Sequence, residues 1–111
     1  MIQVTINEKP LSSNQVWQGR RFKTKKYQDY EKLLLTILPK KNIQKGLVEL
    51  TYRFHLKNHK TTDYDNLIKP LQDILVKKGY IEDDRFIYKA TIEKIPSKED
   101  KIEIWINSYK T

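Results

Sequence analysis

The sequence predicts an α+β fold, with a mixed sheet of about four strands packed with two main helices in the order β-α-β-α-β-β. Three observations support this: four segments alternate apolar and polar residues, two carry apolar residues at helical spacing, and Pro39, Gly79 and Pro96 punctuate them. A chain of 111 residues is long enough for one hydrophobic core. We therefore expect residues 1–111 to form a single domain.

All four predicted strands place their apolar side chains on even-numbered positions, which gives each strand one buried and one polar face. The apolar positions are Ile2, Val4 and Ile6; Val48, Leu50, Tyr52, Phe54 and Leu56; Phe86, Tyr88, Ala90 and Ile92; and Ile102, Ile104 and Ile106. A turn-forming cluster at residues 96–100 separates the last two strands, which are expected to form a hairpin.

Two helices are expected between the strands, with a basic loop before the first. Its apolar face carries Tyr27, Tyr30, Leu34, Ile37 and Leu38, and Pro39 ends it. The second carries Leu67, Ile68, Leu71, Ile74 and Leu75, and two lysines precede its terminal Gly79. If the second helix begins near Asp65 or Asn66, Pro70 removes at most one early backbone hydrogen bond.

The formal net charge of +8 is spread unevenly. Residues 20–62 contain 12 lysines and arginines against three acidic residues, whereas the rest of the chain contains 10 against 11. Such an excess in one segment favours a polyanion partner, most commonly nucleic acid. A solvated lysine-rich surface is the alternative explanation.

The chain contains no cysteine, which excludes disulfides and thiolate zinc sites and fits a reducing cytoplasm. The N-terminal segment lacks the basic start of a signal peptide, and no apolar run approaches the roughly 18 residues of a membrane span. We therefore expect no membrane association.

Acidic residues gather around the second predicted helix, in Asp63-Tyr-Asp65-Asn66-Leu-Ile-Lys69 and then Asp83-Asp84. In extended chain, residues two apart point the same way with α-carbons roughly 6.5 to 7 Å apart, so Asp63 and Asp65 can face one point. Lys69 lies one helical turn beyond Asp65. If the chain returns across the sheet, three or four carboxylates can form the oxygen-rich site that magnesium or manganese prefers.

Simpler explanations exist for each part of this motif. An isolated Asp-x-Asp is most often a helix cap or a solvated turn, and Lys69 could merely pair with Asp73 on the surface. An EF-hand loop starting at Asp63 is excluded, because its sixth position would be Ile68 instead of glycine. His55 and His59 do not form a helical zinc motif and are interpreted as surface residues or DNA contacts.

The whole pattern resembles the RusA family of Holliday junction resolvases, small endodeoxyribonucleases of bacteria and their prophages. The resemblance rests on residues 63–69, on Gly79-Tyr-Ile-Glu-Asp83-Asp84, on the early Pro10-Leu-Ser12-Ser-Asn14 segment, and on the basic stretch and closing strands. It implies that Asp63, Asp65 and Asp84 are the essential carboxylates for a divalent metal and that Lys69 is functional. Asp83 is an additional candidate ligand.

The resemblance also implies a bacterial cytoplasmic protein, of host, prophage or phage origin, acting as a homodimer that nicks a four-way DNA junction symmetrically. Mg²⁺, or Mn²⁺ in its place, would assist water attack on the phosphodiester, leaving a 5′-phosphate and a 3′-hydroxyl. The residues expected to bind DNA phosphates are Arg20, Arg21, Lys23, Lys25, Lys26, Lys57 and Lys60. Trp17 and Trp105 could stack on bases or pack internally.

Two other functions remain open at this stage. The chain could be a branched-DNA-binding module without catalysis, or a metal-dependent nuclease for another structured DNA. All acidic positions of the motif are intact, which favours an enzyme.

Overall fold

The computed structural model describes residues 1–19 and 22–110. The described chain contains strands β1 (Ile2–Ile6), β2 (Trp17–Gln18), β3 (Phe22–Lys23), β4 (Val48–Leu56), β5 (Ile87–Pro96) and β6 (Lys101–Ser108), and helices α1 (Lys25–Ile37) and α2 (Ile68–Lys78). Short 3-10 turns lie at Ser13–Gln15, Tyr64–Leu67 and Asp84–Phe86. The predicted α+β class, with a four-stranded mixed sheet and two helices, is confirmed.

The main sheet has the strand order β1-β6-β4-β5. Strand β6 is antiparallel to both β1 and β4, whereas β5 is parallel to β4. The predicted hairpin between β5 and β6 is therefore wrong, because β4 lies between them. Their connection crosses the end of β4, where Ser97 N donates to Leu56 O at 3.0 Å and Lys57 N donates to Asp100 Oδ1 at 3.0 Å.

One face of β1, β4 and β6 forms the core with the two helices. The predicted even-numbered residues of these three strands are all buried. They pack in one cluster with Leu34 of α1 and with Leu71, Ile74 and Leu75 of α2. Since the opposite face carries polar residues, the period-two pattern correctly predicted which side faces the helices.

Strand β5 occupies the edge of the sheet, and its predicted buried face is largely exposed. Tyr88 is 60% exposed and Ala90 is exposed, while Phe86 and Ile92 are half-buried. The alternating pattern located the strand but could not show that the two helices leave Tyr88 and Ala90 uncovered. Lys89, Glu93 and Lys94 place charge along this edge, as edge strands commonly do.

Both predicted helices are confirmed, with adjusted ends. Thr24 caps α1 by accepting a hydrogen bond from Tyr27 N at 3.1 Å, and Ile37, predicted on its buried face, is 44% exposed. Helix α2 begins at Ile68 rather than at Asp65 or Asn66, since the chain first makes the 3-10 turn Tyr64–Leu67. Pro70 then falls in the first turn of α2, where its missing N–H costs least.

The segment before α1 is more ordered than the predicted loop. Strands β2 and β3 form a small antiparallel pair, and Thr24 N donates to Val16 O at 2.8 Å. Arg20 and Arg21, two of the predicted DNA contacts, lie outside the described residues. Neither helix in the described chain is long and apolar enough to cross a membrane.

Candidate active site

The acidic motif begins where the loop after β4 turns into the 3-10 turn Tyr64–Leu67. Asp63 is exposed, has an extended backbone and makes no capping hydrogen bond with its side chain. Thr62, the residue before Asp63, is held by Lys94 of β5, whose Nζ donates a hydrogen bond to Thr62 O at 2.7 Å. Asp65 is also exposed, within the 3-10 turn itself. Both carboxylates are therefore open to solvent at the entrance to α2.

Lys69 joins the two halves of the motif. Its Nζ lies 2.9 Å from Asp84 Oδ2 and 2.9 Å from Asp73 Oδ1. Hydrogen bonds to Asp73 and Asp84 raise the pKa of Lys69 above its ordinary value, and the bond from Lys69 lowers the pKa of Asp84. The Lys69 side chain is 59% exposed, so each ion pair contributes at most about 1 kcal/mol to stability. These pairs orient the ammonium more than they stabilise the fold.

The adjacent aspartates point to different partners. Asp84 reaches Lys69, whereas Asp83 caps the turn Asp84–Phe86 by accepting from Arg85 N at 3.5 Å. Arg85 Nε also lies 3.8 Å from Asp83 Oδ2. The geometry thus assigns Asp84 to the α2 side of the site and leaves Asp83 facing Arg85.

A second segment supports the entrance to α2. Ser13 Oγ donates to Asn66 Oδ1 at 3.2 Å, which ties the turn Ser13–Gln15 to the turn Tyr64–Leu67. The sequence predicted no role for Ser13 and placed Asn66 only within the acidic motif at the start of the second helix. The two positions are 53 residues apart in sequence, which explains why no local spacing could reveal the contact.

The predicted ligands suit a hard divalent cation, because carboxylate oxygens are the protein ligands that Mg²⁺ prefers. Across residues 1–19 and 22–110, however, no three acidic or histidine side chains are gathered closely enough to hold a metal. Asp84 meets Lys69 instead of Asp63 or Asp65. A shared metal site would need Asp63, Asp65 and Asp84 to come closer together than they are in this structure.

The described lysines that are predicted to bind DNA lie mainly in two places, the start of α1 and the loop after β4. Lys25 and Lys26 are exposed at the start of α1, and Lys57 and Lys60 are exposed in the loop that leads to Asp63. Lys23 is half-buried, with its Nζ 4.4 Å from the centre of the Tyr27 ring. The lysines predicted to bind DNA are thus exposed to solvent both at the start of α1 and in the loop after β4, and Lys23 is the least exposed of the described ones.

Other sequence candidates have partners within the fold. His55 Nε2 lies 2.5 Å from Glu103 Oε1 on the neighbouring strand and is half-buried. Trp105 is half-buried beneath Arg53, whose guanidinium carbon is 5.4 Å from the ring centre. Trp17, by contrast, is 54% exposed. Of the two tryptophans, only Trp17 has a largely solvent-facing ring.

The conserved profile of Endodeoxyribonuclease RusA matches residues 5–107, nearly the whole chain. The protein belongs to the RusA family. This confirms the resemblance seen in the sequence, and with it the prediction of an endodeoxyribonuclease of the kind that cleaves Holliday junctions. A comparison with curated proteins gave no match. The match to the RusA profile includes every described element that contributes to the site, from Ser13 to Asp84.

Proposed function

We propose that this RusA-family protein resolves four-way DNA junctions by divalent-metal-dependent hydrolysis, with Asp63, Asp65 and Asp84 as metal ligands and Lys69 as a catalytic group. The observation that carries the proposal is the 2.9 Å contact between Lys69 Nζ and Asp84 Oδ2. It brings the returning chain after α2 to the same helical turn that follows Asp65. The motif halves are 15 residues apart in sequence yet meet at one side chain.

The family and the donor chemistry support Mg²⁺, with Mn²⁺ as a substitute, as the ion. When bound, such an ion supplies charge neutralisation at the scissile phosphate and eases proton loss from an attacking water. Asp63 and Asp65 offer exposed oxygen ligands from one short segment, and Asp84 offers one from the chain that returns after α2. Asp83 is a fourth candidate, but it must first release Arg85.

Lys69 would act directly on the substrate phosphate and not through the metal. Its ammonium is fixed between two carboxylates, so it is held ready to donate hydrogen bonds where negative charge grows on a phosphate oxygen. A substrate phosphate near Lys69 would share the Lys69 ammonium with the carboxylates of Asp73 and Asp84. Free carboxylates repel that phosphate, so cation binding is a condition both of seating the scissile phosphate and of the chemistry, while the rest of the junction can bind without it.

Two cuts in one junction call for two active sites, and we propose that a homodimer supplies them. Exposed lysines at the start of α1 and in the loop after β4 would bind phosphates without regard to sequence. We expect Arg20 and Arg21, which lie outside the described residues, to bind phosphates as well. The junction preference would come from the spacing of the paired sites in the dimer.

The test uses a labelled synthetic four-way junction with purified protein, with Mg²⁺ or with EDTA. We expect paired nicks bearing 5′-phosphate and 3′-hydroxyl ends, lost in EDTA and in Asp65→Asn while junction binding persists. Asp29→Asn, an exposed aspartate on α1, is the matched control and should cut normally. Tight binding without nicking in Mg²⁺ or Mn²⁺ would instead identify a non-catalytic junction-binding module. Equal cutting of linear duplex would identify a nuclease for other DNA structures.

A further inference from the structure

A cavity of about 190 Å³ lies directly beside the candidate active site, between the β2–β3 segment and α2. Trp17, Tyr27 and Pro70 provide its apolar walls, and Ser13, Lys69 and Asp73 provide polar groups. Lys69 is the ammonium that also binds Asp84. Lys69 therefore belongs both to the cavity lining and to the acidic site. A group that fills the cavity would lie next to the phosphate that reacts at the acidic site.

The size and walls of this cavity select a small flat group. Pockets for drug-sized ligands measure roughly 300 to 1,000 Å³, so this cavity suits one ring system only. Trp17 is 54% exposed although it lines the cavity, which leaves much of its ring available for stacking. Tyr27 lies on α1 and is only 2% exposed, so the residues packed around it hold its ring. The aromatic wall is therefore fixed in place.

The cavity lining carries both signs of charge, with Lys23 and Lys69 against Asp73. The Asp73 carboxylate repels a phosphate, and Lys69 is already shared with Asp84, which leaves Lys23 as the other cation of the lining. A neutral ring with polar edges avoids that repulsion and can bond to Ser13 or Asp73. Lys23 lies 5.6 Å from the Trp17 ring centre and 4.4 Å from that of Tyr27, so positive charge for a nearby backbone phosphate is present at the same rings.

We propose that this cavity, the Trp17 cavity, binds one unstacked nucleobase of the DNA substrate beside the phosphate that is cut. The proposal rests on the nuclease function proposed above for the identity of the substrate. A base that flanks the exchange point of an opened four-way junction has lost a stacking neighbour and costs less to extrude than a base within a duplex. Seating one base against Trp17 fixes which phosphate faces Lys69, so the cavity helps to set the position of the cut.

The experiment pairs protein variants with junctions that lack a single base. Abasic sites are placed one at a time at each nucleotide around the exchange point, and affinity is measured by fluorescence anisotropy in the Asp65→Asn protein, which leaves the DNA intact. We expect one position at which loss of the base weakens binding about 5- to 100-fold. The Trp17→Ala substitution should lower the affinity for the intact junction by the same factor. In that variant, removal of the base should cause no further loss of affinity.

Two further variants separate stacking from folding or general contact. Trp17→Phe keeps an aromatic face and should retain most of the abasic penalty. Phe22→Ala removes an even more exposed aromatic, at 72%, from the same two-stranded segment but outside the cavity lining, and should leave the penalty intact. The proposal is overturned if no abasic position shows a penalty that depends on Trp17, or if Phe22→Ala abolishes the penalty equally. Because this readout is binding, a failure to nick in the earlier test is a separate result.

Discussion

Lys69 Nζ and Asp84 Oδ2, 2.9 Å apart, form the contact that links the start of α2 to the chain returning after it. Lys69 is also held by Asp73 at 2.9 Å, one turn further along the same helix. The ammonium therefore has two acceptors, one in the acidic motif and one at the wall of the Trp17 cavity. Its position is defined before any substrate arrives.

Replacing Lys69 with methionine should slow junction nicking about 10²- to 10³-fold, because a fixed donor to the developing phosphate charge is lost. Stability should change little, since the ion pairs are exposed. Lys77→Met is a close control: Lys77 lies on the same helix, is also 59% exposed and also pairs with a carboxylate, Glu31. Single-turnover nicking and thermal unfolding of both variants check this. Equal loss of nicking in the two variants would contradict a specific role for Lys69.

Asp73 and Asp84 should behave differently although both bind Lys69. We expect Asp84→Asn to abolish nicking, because it removes a proposed metal ligand. Asp73→Asn should lower the rate by about tenfold or less, since it loosens only one of two contacts that position Lys69. Nicking rates across a Mg²⁺ titration decide the matter. Asp73→Asn should leave the half-maximal Mg²⁺ concentration unchanged, and a large increase in it would make Asp73 a ligand instead.

Gly79 should be sensitive to substitution for backbone reasons alone. It ends α2 with a φ of 91°, and a Cβ added there would meet no atom within 4 Å. Gly79→Ala should therefore cost about 1–2 kcal/mol through left-handed strain and not through a clash. Gly79→Asn should cost less, because asparagine tolerates this conformation better. Urea unfolding of the two variants measures the difference, and equal losses would point to something other than the backbone angle.

Junction affinity should depend on salt through exposed lysines near the site. Lys57→Gln combined with Lys60→Gln should weaken binding and reduce the slope of log affinity against log salt by about one for each lysine that contacts a phosphate. Lys110→Gln, an exposed lysine beyond β6, is the control and should leave the slope unchanged. Anisotropy titrations over a range of salt concentrations measure it. An unchanged slope in the double variant would remove this loop from the DNA path.

The sequence predicted buried faces well because periodicity reports on burial. It correctly assigned the core side of β1, β4 and β6, but period two says nothing about which strand is the neighbour, so β5 and β6 were paired with each other instead of with β4. The exposed face of Tyr88 and Ala90 was missed for the same reason. An edge strand and an inner strand can carry the same alternation.

Within the site, spacing could predict local contacts only. The four-residue step from Lys69 to Asp73 was visible as a helical ion pair, and the structure has it. The meeting of Lys69 with Asp84 needed the chain to return, and the contact between Ser13 and Asn66 spans 53 residues. The gathering of Asp63, Asp65 and Asp84 around a metal stays a prediction from the family resemblance.

The strand order has a consequence for how the protein comes into being. Strand β6 is the last strand of the described chain, yet it lies between β1, the first described strand, and β4. During synthesis neither β1 nor that side of β4 has its partner until residues through Ser108 have left the ribosome. Pairing between strands so distant along the chain is slow to nucleate. The apolar strands β1 and β4 therefore stay without this partner until β6 is available. A truncation within β6 should cause the protein to aggregate and not only lower its activity.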